Sequence, residues 1–189
     1  MVERPRGPAS PALRELNRLP WERAVERLRS CCAAERWARA VADRRPFADV
    51  DSLLQSSDEV WAGLGEPDCR EAIAHHPRLG GGDLAARRFD ETRAQSRREQ
   101  AAVLGADERT RAALARAQRQ YERRFGIIFL ICTSGRPAAE ILAELERRMS
   151  NDHDVELTVV AEELRKITRL RLARTFGSSP DSDPRPEGG

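Results

Sequence analysis

The chain has 189 residues, enough for one helical or mixed domain with tails, and its 40% hydrophobic and 34% charged residues read as soluble and globular. A net charge of +2, from 33 basic and 31 acidic residues interleaved along the chain, excludes a one-sided basic face for nucleic acid. No apolar run approaches the ~18 residues of a membrane span, and no charged, apolar and cleavage regions in series open the chain as an export signal. Cys31, Cys32, Cys69 and Cys132 lack metal-ligand spacing, and adjacent cysteines make a poor disulfide pair, so a reducing cytoplasm is the expected setting.

Residues 1–11 and 177–189 are rich in Pro, Gly, Ser and charge and are expected to be disordered tails around a helical domain at 12–176. The first helix is placed at Pro20, a residue tolerated at helix starts, with Trp21, Ala24, Val25, Leu28 and Cys32 at helical spacing. A second helix over 34–43 ends before Pro46. A third follows Asp49 and Asp51, with Leu53, Leu54, Trp61 and Leu64 as its stripe. Residues 67–75 form a short helix that stops ahead of Pro77, because a residue before proline avoids the α region. Gly80, Gly81 and Gly82 force a loop, and 83–104 is expected to be helical with an interruption near Ser96. Asp107 caps a helix that runs to Phe125 and closes at Gly126. Residues 127–132 are an apolar run that periodicity leaves open between a buried extended segment and a helix start. Helices over 137–149 and 154–175 complete an all-α fold, a single compact bundle of roughly eight helices.

Four places interrupt this pattern with chemistry. His75 and His76, two of three histidines in the chain, stand at a helix end before Pro77. Histidine titrates nearest neutrality and suits general acid–base work, and the restraint from Pro77 favours His76 as the rigidly held one. Ser96 and Glu99 have capping-box spacing, but with Gln100 they also share one helical face, where a ligand rich in amide groups would satisfy them. Arg171 falls within the apolar stripe of Leu157, Val160, Leu164 and Ile167, while Arg165 and Arg169 fall outside it. An inward arginine needs an anionic or carbonyl partner, which is either a buried structural bridge or an oxyanion clamp. The run from Ile127 to Thr133 is most simply core, and any part that lines a pocket would offer backbone groups to a planar ligand. No spacing of His, Cys and carboxylates matches a metal site.

These landmarks come in a recognisable order. Arg45-Pro46-Phe47, the stretch around His76-Pro77, Ser96-x-x-Glu99-Gln100, Tyr121 before Phe125-Gly126, Phe129 to Cys132, and Lys166-Ile167 followed by Arg171-Leu172 together resemble the 2-oxo-4-hydroxy-4-carboxy-5-ureidoimidazoline (OHCU) decarboxylase family, from about Leu13 to Thr175. Enzymes of this family catalyse the last step from urate to allantoin. The resemblance implies an all-helical, usually dimeric enzyme that uses no cofactor or metal and acts on a small ureidoimidazoline. It implies catalytic roles for His76, Glu99 and Arg171. Substrate contacts would come from Pro77, Ser96, Arg97, Arg98, Glu99 and Gln100, and from the backbone of Phe129, Leu130, Ile131, Cys132 and Thr133. The chain departs from the family pattern at Gln118, where asparagine is common, and at Ile127-Ile128, where an aromatic residue and proline are common. These departures keep open a relative acting on another ureide or imidazolone. A non-catalytic helical interaction domain is the rival outside enzymology.

Overall fold

The computed structural model describes residues 9–79 and 103–177. Eight helices are present among the described residues: α1 (Pro11–Arg18), α2 (Trp21–Arg29), α3 (Glu35–Ala42), α4 (Val50–Trp61), α5 (Glu66–Ala74), α6 (Glu108–Phe125), α7 (Ala138–Arg148) and α8 (His153–Gly177). No described residue is in a β-strand, and no described helix is long and apolar enough to cross a membrane. The all-α expectation therefore holds. The helix expected over 83–104 lies outside the described residues except for its end, where Val103 and Leu104 are helical and Val103 is buried.

Local chemistry sets the helix limits. The Asp49 side chain accepts from Ser52 N at 2.7 Å while Ser52 Oγ returns the contact to the Asp49 backbone, a reciprocal cap that starts α4. Asp107 caps α6 through Thr110 N at 2.9 Å, and Gly126 closes it at φ +69°, a left-handed conformation that glycine adopts without a Cβ clash. The helical domain begins earlier than expected. Ser10 is buried, accepts from Leu13 N and donates to the Phe176 carbonyl, so residues 10 and 11 start α1 instead of ending a tail. Helix α1 carried only two strong apolar positions, Leu13 and Leu16, too few for its period to stand out from the sequence.

Helix α8 is the central post. It packs against α4, α1 and α5, while α2 pairs with α3, and α3 also meets α4 and α5. Helices α6 and α7 form a second pair. Arg45 ties the turn between α3 and α4 to α1: it donates to the carbonyls of Ala42, Leu16 and Leu19 at 2.7–3.1 Å, satisfying helix-end acceptors. The Asn17 amide donates to Phe47 O at 2.8 Å and accepts from Phe47 N at 2.9 Å, which seats the buried Phe47 ring. The landmark Arg45-Pro46-Phe47, whose Arg45–Pro46 bond is cis, is thus a joint of the scaffold.

The pair α6–α7 is fastened to α8 by buried charge. Arg148 has no solvent exposure, and its Nε donates to Glu156 Oε1 at 2.8 Å. Its Nη1 donates to the Leu130 carbonyl at 2.8 Å, and Nη2 reaches the Tyr121 hydroxyl at 3.3 Å. Tyr121 donates to the same Glu156 oxygen, and Asn151 Nδ2 donates to the other at 2.7 Å. The guanidinium also lies 4.6 Å from the centroid of Phe129, a cation–π contact. Burial, with Glu156 alongside, pushes the Tyr121 phenol well above its ordinary range, so it remains a donor. A buried charge stripped of its partner is costly, about 3–5 kcal/mol. Arg148→Met is therefore expected to lower the unfolding free energy by about that amount in urea titrations, with Arg148→Met/Glu156→Met losing less than the sum of the single changes. Additive losses would mean that the two groups are not paired.

Candidate functional site

Helix α5 ends at two adjacent histidines. His75 is the C-cap, with φ −98° and ψ 1°, and its Nδ1 lies 3.0 Å from the Glu71 carbonyl one turn back. That ring is exposed and folded onto its own helix. His76 donates its N–H to Ile73 O at 2.9 Å, sits half-buried, and leads directly into Pro77. The residues that follow are gripped by α6. Gln118, 4% exposed, accepts from Leu79 N at 3.1 Å and donates to Leu79 O at 2.9 Å. One turn further along α6, Glu122 takes both Nε and Nη2 of Arg78, at 2.7 and 2.9 Å.

Residues 127–133 are neither helix nor strand, which resolves the sequence ambiguity in favour of an irregular buried segment. Ile127, Phe129, Leu130, Ile131 and Thr133 are buried, and Ile128 and Cys132 half-buried. Buried backbone outside regular structure must find side-chain partners. The Leu130 carbonyl takes Arg148, and the Cys132 N–H donates to Glu163 Oε2 at 2.7 Å, while Lys166 holds the other Glu163 oxygen at 2.8 Å. The Phe129 ring meets Tyr121 edge-on at 5.2 Å. These anchors fix the course of a segment whose backbone was expected to face the ligand.

Arg171 lies inside, as its place in the stripe predicted, with 3% exposure between Ile167, Thr168 and Leu172. Its Nη1 donates to the Cys31 carbonyl at 3.3 Å. Arg165 and Arg169 are partly exposed and pair with Asp58. Burial raises the Cys31 thiol and lifts Cys32 to about 11, against the opposing pull of the Arg171 charge. Both are therefore neutral thiols and not nucleophiles at neutral pH. Ser96, Arg97, Arg98, Glu99 and Gln100 lie outside the described residues. The described part places His76 at the end of α5, which packs on α8, the helix that carries Arg171. No group of three or more His, Cys, Asp or Glu suited to a metal is found among the described residues. The surface groove lined by Pro11, Arg14 and Leu19 contains none of the predicted site residues.

Several positioning groups escaped the sequence reading. Glu156 and Glu163 lie on the buried face of α8 with Val160 and Ile167, and Arg148 continues the Ile141–Leu145 face of α7. That spacing was a signal, the same one that singled out Arg171. Gln118 was noted only as a departure, with no hint that Leu79 would be its partner.

Fold and site together define a small all-helical protein in which a half-buried histidine just past α5 leads into backbone gripped by α6, and a buried arginine stands on the inner face of α8. Residues 17–173 match the model of the OHCU decarboxylase family. The chain belongs to that family. It is 34% identical over 165 residues to 2-oxo-4-hydroxy-4-carboxy-5-ureidoimidazoline decarboxylase of Amia calva, covering 85% of this chain and 91% of the relative. It is 30% identical over 146 residues to the uric acid degradation bifunctional protein of Arabidopsis thaliana, covering 77% of this chain and 45% of that longer protein. Among solved structures, OHCU decarboxylase in the presence of (S)-allantoin superposes with a TM-score of 0.67 at 27% identity, over 81% of this chain and 99% of the other.

The neutral state of the buried thiols has a simple consequence. In the folded protein at neutral pH, Cys31 and Cys32 are expected to react with N-ethylmaleimide at least about tenfold more slowly than in the urea-unfolded chain, read by mass spectrometry of tryptic peptides. Rapid labelling of Cys32 in the folded protein would show that it is accessible or ionised.

Proposed function

We propose that the protein decarboxylates 2-oxo-4-hydroxy-4-carboxy-5-ureidoimidazoline to (S)-allantoin, using side chains and backbone alone. The carrying observation is a family match that spans both His76 and Arg171, with a decarboxylase relative matched over nine-tenths of its own length. The near-complete burial of Arg171 supports the same reading, because a guanidinium withdrawn from water interacts more strongly with a nearby anion.

The reaction breaks one carbon–carbon bond. Carbon dioxide leaves the carbon that also bears the hydroxyl, and the bonding electron pair passes into the adjacent ring C=N to give an enol. A proton then adds to the neighbouring, ureido-bearing carbon while the hydroxyl gives up its proton and becomes the ring carbonyl. The substrate thus supplies its own electron sink. His76 engages the substrate near its carboxylate or hydroxyl and guides the proton. Glu99 accepts hydrogen bonds from ureido or ring N–H groups and fixes the orientation. Arg171 faces oxygen that gains charge as carbon dioxide departs. Were it clamped on the carboxylate alone, it would stabilise the ground state and slow the step, since only stronger binding of the transition state accelerates chemistry. Pro77, Ser96, Arg97, Arg98 and Gln100 complete the substrate contacts, together with the backbone of residues 129–133. Proton delivery from one face sets the (S) configuration. The working form in this reading is a homodimer in a reducing cytoplasm, where the four cysteines stay as thiols.

Urate, urate oxidase and hydroxyisourate hydrolase generate the unstable substrate in place, and circular dichroism follows (S)-allantoin. The protein is expected to accelerate its appearance well beyond spontaneous decay. His76→Asn should lose about a hundredfold or more of kcat, the usual size of a general acid–base contribution. Arg171→Met should lower kcat more than it raises KM, the mark of an interaction made in the transition state. No acceleration by the parent protein would overturn the function, and full activity of His76→Asn would overturn the role of His76.

A further inference from the structure

We propose that Gln118 is a positioning residue for His76, acting through the main chain of Leu79, with Glu122 as a weaker second clamp on Arg78. The inference rests on the decarboxylase reading for its kinetic part only. Residues 76–79 form a short bridge between two helices. At one end the His76 N–H is fixed to the Ile73 carbonyl of α5. At the other the Leu79 N–H and C=O are both fixed to the Gln118 amide of α6. Pro77 fixes its own φ and keeps His76 out of the α region, which reduces the backbone freedom between these points. With both ends held, the direction in which the imidazole leaves the bridge is set by α6 as much as by α5.

The chemistry of the grip is specific to an amide. A single residue presents its N–H and C=O on the same side when extended, as in the reciprocal pairs of an antiparallel sheet. A primary amide matches that with one acceptor and one donor. A carboxylate would accept from Leu79 N but set a second oxygen against Leu79 O. A methionine of similar size would make neither bond. Gln118 is buried, so water does not easily stand in for it, whereas Arg78 has 58% of its side chain exposed and its ion pair with Glu122 is correspondingly weaker support. The Asn17 amide seats Phe47 by the same two-bond device.

The three histidines make the test clean. Imidazole Cε1–Hε1 spectra of the full-length protein give three cross-peaks across pH 5–9, assigned with His75→Gln and His153→Gln. In Gln118→Met the His76 peak is expected to shift and broaden and its titration midpoint to move, while His153 stays in place and the melting temperature holds within a few degrees. In the coupled assay kcat should fall about 10- to 100-fold with KM within about threefold, since small misplacement of a reacting group has effects of that order. Gln118→Met/His76→Asn should lose little more than His76→Asn alone, because the two act as a unit. An unchanged His76 peak, or losses that multiply in the double variant, would overturn the proposal. If Gln118→Met fails to fold, Gln118→Glu, with the same shape and one bond kept, is read in the same way. If the parent protein shows no decarboxylase activity, the His76 spectrum still decides the positioning role.

Discussion

A guanidinium shut away from water governs this structure. Arg148 sits among Tyr121, Phe129, Leu130 and Glu156, and a buried charge tolerates little change in the groups around it. Its partners come from α6, from the irregular segment after it, and from the start of α8, so satisfying one side chain fixes three parts of the fold. The charge network selects one register, because the guanidinium is satisfied only where the Glu156 carboxylate, the Tyr121 hydroxyl and the Leu130 carbonyl converge on it. A buried pair of this kind need not add stability over a well-packed apolar cluster; what it supplies here is a single arrangement of the segment at 127–133.

That arrangement reaches the candidate site through α6. Tyr121, which joins the network, and Gln118, which holds Leu79, are three residues apart on this helix and therefore on neighbouring faces. The bridge bearing His76 and the segment bearing Leu130 and Cys132 are both referenced to the same rigid element. On the opposite side, α8 carries Glu156, Glu163 and Arg171 along one buried face, so the anchor of the network, the anchor of Cys132 and the candidate oxyanion group share a second rigid element. The site elements that are described are loops and ends, but each is pinned to the interior of a long helix. Groups that must be held to a fraction of an ångström for catalysis are best placed in this way.

The sequence made much of this legible, for identifiable reasons. Asp107 and Gly126 declared the limits of α6 because capping and left-handed backbone are local chemistry. Arg171 was visible because a charge inside an apolar stripe breaks a strong period on a long helix. Helix α1 was not visible, since two apolar residues define no period and its Ser10 cap is held by Phe176 from the far end of the chain. Arg148 and Glu156 carried the same spacing signal, but the surrounding sequence is dense in arginine and glutamate, and nothing local shows that Tyr121 and Leu130 will be brought to them. Gln118 escaped for a related reason: its partner is a backbone, 39 positions away, and a main-chain acceptor leaves no mark in the sequence. Ser96 to Gln100 were legible only as a motif.

We propose that His76 and Arg171, on separate elements fixed by buried polar anchors, face one ligand. A crystal structure of the protein grown with (S)-allantoin tests it most directly. Allantoin is expected between the His76 imidazole and the Arg171 guanidinium, against the backbone of residues 129–133, with Leu79 still paired to Gln118 and Leu130 still paired to Arg148. Allantoin bound elsewhere, or His76 and Arg171 opening onto different surfaces, would contradict it.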